Sequence, residues 1–437
     1  MRDFYVSPTG SDSADGSRTA PFQTVRKAVA EQGNGDRILI EAGDYVEPSP
    51  LAVRGVIQGQ CKALDRGEVK IIFETLEDEP GLITLEDCRQ YVLDGLIIEP
   101  PSSVLLPNGT PDAFNFTSVV AITGGEGNLV TDTICEFWAI NEVRSSLRVT
   151  GIFASDCDLV KIQRTDVRGL ACTFSPGTSA VAGGSLYGIR VENTGTCSIL
   201  DTRVTTVSGV NANVAGILTG IEVSAPTPDV ARISNCVVRE IFTHGQAGEG
   251  QDFAAGIGAF GLANGVNLVL KNSRVFVVRS GHDQGEAYRT QTAGYRIIGA
   301  QDARLQSILA YRADAGIRSS LLGLSATWLN ITADRVGIGI WAEPATSDAI
   351  RIVLRNIALS RLVTGYKTTG NVSLDVDYIN TYDLSGELFD VEGSFAEHVE
   401  TGGSIYQFNP RFVAPDDAGR DFSLEFISQL VNTGTDI

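Results

Sequence analysis

Gly188-Ile189-Arg190-Val191, Gly220-Ile221-Glu222-Val223, Gly256-Ile257-Gly258-Ala259 and Gly294-Tyr295-Arg296-Ile297 are four versions of one phrase, which continues as Gly316-Ile317-Arg318, Gly339-Ile340-Trp341-Ala342 and Gly365-Tyr366. A second apolar run trails each of them, at Ile199, Ile233, Val269, Leu305, Leu329, Ile352 and Leu374. Alternation of period two marks strands, and a fixed strand–turn–strand order recurring every ~20 to 45 residues marks a solenoid. The expected fold class is all-β, a single parallel β-helix. Thr202, Asn235, Asn272, Ser307 and Asn356 take one equivalent place in the second run. Stacked small polar residues at a turn can hydrogen-bond along the stack and satisfy backbone that would be stranded at the edge of the core. Because this column repeats in coil after coil, it reads as structural.

The bulk composition suits a narrow interior. The 437 residues are 43% hydrophobic but only 7% aromatic, so Val, Ile, Leu and Ala must fill the core. With 34 basic and 53 acidic residues the net charge is -19, which disfavours nucleic acid and anionic membrane surfaces as partners. The seven cysteines, Cys61, Cys88, Cys135, Cys157, Cys172, Cys197 and Cys236, form an odd set with no C-x-x-C spacing. Neither a zinc site nor a disulfide framework is indicated, and no metal ligands are assigned. Met1 runs directly into strand-like sequence, so no signal peptide is expected in this chain, and no apolar run approaches the ~20 residues of a membrane span.

Ahead of the repeats, residues 5–32 read as a strand, a Gly/Asp/Ser loop and a short helix. Pro21 suits a first helical turn, Phe22, Val25, Ala28 and Val29 share a face, and Gly33 supplies the stop. A solenoid leaves the apolar cross-section of its first coil open, so an N-terminal capping helix is expected there. The chain then divides into a cap over 1–45, the β-helix over 46–395 and a closing segment over 396–437. Loop excursions are expected near 100–117, 164–184, 205–218, 242–255 and 279–293. The last three precede successive Gly strands, and neighbouring coils lie ~4.8 Å apart, so these loops should stack into one wall.

Tyr5-Val6-Ser7-Pro8, Gly10-Ser11-Asp12, Gly16-Ser17, Pro21-Phe22, Asp36 to Ile40 and Gly43-Asp44-Tyr45, together with Asn409 to Val413, Asp421 to Leu424 and Ser428 to Gly434, resemble the two ends of the pectate-lyase-like right-handed β-helix superfamily. The resemblance spans nearly the whole chain. It implies a right-handed coil, while its activities include lyases, hydrolases, epimerases, phage tailspikes and inert scaffolds.

The wall concentrates polarity that could carry chemistry. His244, Glu249 and Asp252 fall on one loop, and His282, Asp283, Glu286 and Arg289 on the next. On the following strands Arg190, Glu222, Arg296, Arg318 and Trp341 should face outward beside it. Tryptophan can stack on a pyranose face and arginine can pair with a uronate, so Glu222, His244, Arg289, Arg296 and Trp341 are candidate substrate-binding residues. Glycosidase chemistry needs two carboxylates across a bond, and His282, Asp283, Asp252 and Glu286 are the catalytic candidates. β-Elimination would need a base such as Lys161 or Lys271, but no compact Asp cluster accompanies either, and the paired-Asp, His and Arg-x-Lys motifs of polygalacturonases are absent. Sequons at Asn108, Asn115, Asn330 and Asn371 are no more than chance supplies.

The resulting expectation is a virion or surface-exposed β-helix of tailspike or decoration type that recognises, and in one version depolymerises, a host polysaccharide. Two alternatives stand beside it: a secreted polysaccharide lyase or glycoside hydrolase, and a non-catalytic scaffold. An extracellular or virion location follows, and the tailspike resemblance implies a homotrimer. The cofactor is unknown, with Ca2+ the one that lyase chemistry would suggest.

Overall fold

The computed structural model describes residues 1–74, 81–100, 118–137, 140–143, 148–174, 185–212, 217–224, 230–245, 253–260, 267–280, 292–300, 302–322, 325–344, 350–370, 372–392, 399–401, 405–406, 412–414 and 421–424. Among these, the chain is nearly all β, with one 24-stranded and one 12-stranded sheet in which the strand pairings are parallel, and a separate antiparallel pair formed by Phe412–Ala414 and Asp421–Leu424. A representative turn of the solenoid uses Ser185–Glu192 in the narrower sheet, then Thr196–Leu200 and Arg203–Ala212 in the wider one, and returns to the narrower sheet at Ile217–Ser224.

The Gly phrases stack in register. Ile189, Ile221, Ile257, Tyr295, Ile317, Ile340, Tyr366 and Phe389 are successive partners, and the same column continues in the other direction through Ile152, Val120, Ile83 and Leu51. The glycine, however, does not start its strand. Gly188 is the fourth residue of Ser185–Glu192, and Leu186 and Ile189 on either side both point into the core. The in–out alternation therefore slips at each glycine, as at a bulge. A Cβ on Gly188, Gly220, Gly256, Gly294, Gly316 or Gly339 would lie 2.5 to 2.9 Å from the carbonyl oxygen of the next glycine in the column. Glycine recurs because coils approach too closely there for any side chain.

Left-handed backbone marks the corners. Asp132, Arg164, Asp201, Asn235, Asn272, Ser307, Asn330 and Asn356 all have φ between 48° and 57°. Leu200 pairs with Ser234 and Arg203 with Val237, so the partner of Asn235 is Asp201 and not Thr202. Asn235 Nδ2 donates to Asp201 Oδ1 at 2.8 Å, and Asn356 Nδ2 to Asn330 Oδ1 at 3.0 Å. Thr202 belongs to the next position, which points inward. There Thr133, Thr165, Thr202 and Ser273 donate their hydroxyls to the carbonyl two residues back at 2.8 to 3.0 Å, and Cys236 does the same with its thiol at 3.4 Å. Cys88 and Cys157 fill the corresponding place at another corner, where Thr194 makes the equivalent bond. These cysteines thus substitute for Ser and Thr as small inward caps. Cys61, Cys88, Cys135, Cys157, Cys197 and Cys236 are free and buried, and burial pushes the Cys61, Cys157, Cys197 and Cys236 thiols up to about 12.

At the first coil, the helix Val25–Glu31 is capped by Thr24, whose Oγ1 accepts from Lys27 N at 3.1 Å. Pro21 and Phe22 therefore precede the helix. Phe22 bridges to Val6 and stacks on Phe4 with ring centroids 5.7 Å apart. Val25 and Ala28 join the same core cluster as Ile38, Val53 and Cys61. Glu47 accepts from Val25 N at 2.6 Å, and its burial raises its carboxyl above the usual value.

Arg203–Ala212, Val237–Gly245 and Arg274–Ser280 extend as strands into the ranges 205–218, 242–255 and 279–293, leaving 213–216, 246–252 and 281–291 outside the described residues, as are 101–117 and 175–184. Most of 396–437 also lies outside them. No helix among the described residues is long and apolar enough to cross a membrane.

Candidate functional site

Alternation places one residue of every narrow-sheet strand on the outer face. In order of rungs these are Ala52, Thr84, Ala121, Phe153, Arg190, Glu222, Gly258, Arg296, Arg318, Trp341, Lys367 and Asp390. Three of the candidate binding residues, Glu222, Arg296 and Trp341, therefore share one straight column, at ~4.8 Å per rung. Within it, the groups fall into two sets.

The later rungs hold cations and rings. The Arg318 guanidinium carbon lies 4.1 Å from the centroid of Trp341, and Lys367 Nζ lies 5.3 Å from it. Trp341 is accordingly half-buried between two cations, whereas the sequence suggested an exposed ring. Its Nε1 is buried and has no hydrogen-bond partner among the described residues. Arg318 is 3.7 Å from Glu343, and Lys367 is 3.5 Å from Asp390. Arg296 sits over Phe260, 5.9 Å from its centroid. Burial, with Arg318 adding to it, pushes the Arg296 guanidinium down to about 10. Phe260 was not anticipated. A Cβ on Gly258 would meet its ring, with Cζ at 2.9 Å, so the ring folds across the bare rung. The legible signal was Gly258 two residues before an aromatic, since i and i+2 share a face.

The earlier rungs form a charge network. Arg190 Nη2 is 2.7 Å from Glu192 Oε2, and its Nε is 3.4 Å from Glu222 Oε1. Its guanidinium lies 4.6 Å from the Tyr187 centroid, and Thr219 Oγ1 donates to Glu222 Oε2 at 3.4 Å. Tyr187, Thr219 and Glu222 are outward-facing yet buried, Glu222 being only 4% exposed. Glu222 is thus held by protein groups instead of being presented as a free surface carboxylate.

The remaining candidates are not brought into this geometry. His244 is the penultimate residue of the strand Val237–Gly245, opposite Val210, and its side chain lies outside the described residues. His282, Asp283, Asp252, Glu286 and Arg289 lie wholly outside them. Lys161 pairs between Leu129 and Ser198, and Lys271 between Ser234 and Gln306, both on the wider sheet and away from the column. Among the described residues, no group of three His, Cys, Asp or Glu is placed to hold a metal ion.

No protein family model matches the sequence, and no curated protein does. Solved structures do match. Pectate lyase Pel9A is similar at a TM-score of 0.48 and 14% identity, over 100% of this chain and 92% of that one. A rhamnogalacturonan lyase matches at 0.41 and 14%, over 97% and 95%. The catalytic unit of a thermostable GH87 alpha-1,3-glucanase from Streptomyces thermodiastaticus matches at 0.37 and 12%, over 92% and 69%. The resemblance read from the two ends of the sequence thus agrees with the architecture of long all-parallel sheets, which the strand pairings establish independently of these scores.

Proposed function

We propose that the chain binds an acidic polysaccharide along the outer face of the narrower sheet. The observation that carries this reading is the uninterrupted set of rungs Arg296, Arg318, Trp341 and Lys367, joined by the Phe260 ring over Gly258. Cations and flat rings alternating along an axis suit a polymer that offers carboxylates and pyranose faces at a regular spacing. The depressed Arg296 guanidinium supports it, because crowded, partly buried cations are relieved by an anionic ligand. Depolymerisation by His282, Asp283, Asp252 and Glu286, and contacts from His244 and Arg289, belong to the same proposal, since their segments lead into strands of this sheet. So do display outside the cell or on a virion, a homotrimeric state, and closure of the first coil by the helix Val25–Glu31.

Titration calorimetry on a panel of acidic and neutral polysaccharides tests the reading, with products monitored for unsaturation and new reducing ends. Acidic glycans should bind, and more weakly as salt rises. Trp341→Ala should weaken binding by ~1 to 3 kcal/mol, the range for a central aromatic contact. Binding by Trp341→Ala and Arg296→Gln that equals the parent would remove the site from this face.

A further inference from the structure

The other end of the same column carries a more specific inference, which rests on the reading above. Arg190 is a nearly buried arginine, its side chain 11% exposed, whose Nη1 is buried and has no hydrogen-bond partner among the described residues. Trp341 Nε1, five rungs further along or ~24 Å at ~4.8 Å per rung, is another such donor on this column. Buried donors in folded proteins are almost always paired. At Arg190 and at Trp341 they mark positions where an acceptor is to come from elsewhere.

The two positions differ in the charge around them. At Arg190, both Glu192 and Glu222 already face the guanidinium, at 2.7 and 3.4 Å. A carboxylate placed there would gain one donor and face two like charges. A hydroxyl would accept from Nη1 and donate to Glu222, using both neighbours. At Trp341, the flanking groups are Arg318 and Lys367, at 4.1 and 5.3 Å from the ring, and a carboxylate is favoured.

We infer that the ligand is a mixed glycan of neutral and uronic sugars lying along the solenoid axis. A neutral residue occupies Arg190 and Glu222, and uronates lie over Arg296 to Lys367.

Three oligosaccharides of equal length, all-uronate, all-neutral and alternating, titrated into the full chain, decide the matter. If only the cationic rungs bind, the all-uronate chain wins because it carries more charge. The inference expects the reverse, with the alternating chain at least about tenfold tighter than the all-uronate one. Glu222→Gln should erase that preference by strengthening the all-uronate ligand. Arg190→Lys, which keeps the charge and removes Nη1, should erase it by weakening the alternating ligand. Thermal melting checks that each variant is folded, and either one suffices. Equal or tighter binding of the all-uronate chain by the parent overturns the inference. If that binding still depends on Trp341, the reading of the face as an acidic-glycan site survives; if no glycan binds, both fall.

Discussion

Two columns of left-handed residues run the length of the wider sheet, and they are filled very differently. The corner column contains Asp132, Asp201, Asn235, Asn272, Asn330 and Asn356 among its members. The other, a mid-strand column except at Arg312 and Arg335, which directly follow the strands Asp302–Tyr311 and Ser325–Asp334, holds Gly169, Thr206, Glu240, Val277, Arg312, Arg335, Arg361 and Asp383, at φ values from 53° to 72°. The backbone does the same work in both. Asn235 N donates to Lys271 O of the next coil at 3.0 Å, and Arg312 N donates to Asp334 O at 3.1 Å. At the corner the side chain is exposed or half-buried and chosen for its tolerance of positive φ, so Asn and Asp recur. In the other column the side chain is chosen by what it packs on. Val277 joins Phe276, Leu309 and Tyr311 in a small cluster outside the main core, Arg312 and Arg335 lie 5.1 and 5.9 Å from the Tyr311 ring, and Arg361 pairs with Asp334. The same turn can thus be set by residue type or by register.

Substitutions can break this contrast. The largest effect is expected from Asp334→Ala. Asp334 is fully buried and accepts from Ser360 Oγ at 2.6 Å and Arg361 Nε at 2.8 Å, so losing these bonds should destabilise by ~3 kcal/mol in denaturant unfolding. A change under about 1 kcal/mol would show that the mid-strand column is not held by such pairs. Next is Asn235→Val, which puts a β-branched residue at φ 57° and removes the bond to Asp201. A loss of ~2 kcal/mol is expected, and a neutral result would mean that register alone fixes the corner as well. Thr206→Asn works in the opposite direction. It relieves a β-branched residue at φ 58° and should raise stability by ~0.5 to 1 kcal/mol; destabilisation would mean the Thr206 Oγ1 bond to Glu240 matters more than the strain.

The smallest effect is in acid. Arg164, at 2.7 Å, holds the Asp132 carboxyl below its ordinary value of 3.8, with Thr131 assisting. A depressed folded-state value contributes stability that is present above 3.8 and is lost as pH falls through the lower folded value. Parent and Asp132→Asn should therefore differ most near neutral pH and converge in acid. Melting curves that stay equally far apart at every pH would contradict the pairing.

The contrast also explains what could be read from the sequence. The Gly phrases were legible because close approach excludes every other residue from Gly188, Gly220 and their successors. Their place inside the strand was not, because a bulge looks like a strand start when alternation is read from one side only. Asn235, Asn272 and Asn356 were legible as a column. In the sequence Asn330 reads as a chance sequon and Thr202 stands in the place of Asp201, since one residue separates the turn position from the inward hydroxyl beside it. The mid-strand column left no trace, for its residue types obey their neighbours. Of the site, the shared face of Glu222, Arg296 and Trp341 followed from period two. The burial of Glu222 by Arg190 and Thr219, and the cover of Arg318 and Lys367 over Trp341, depend on contacts between coils whose register the sequence does not print.

The central claim is that the outer face of the narrower sheet is the ligand platform, and a crystal structure with an acidic oligosaccharide bound tests it most directly. The account predicts a sugar chain along the solenoid axis, with a carboxylate at Arg318 or Lys367 and a pyranose ring against Trp341. A chain bound on the wider sheet, or one crossing the axis without touching Arg296 to Lys367, would contradict it.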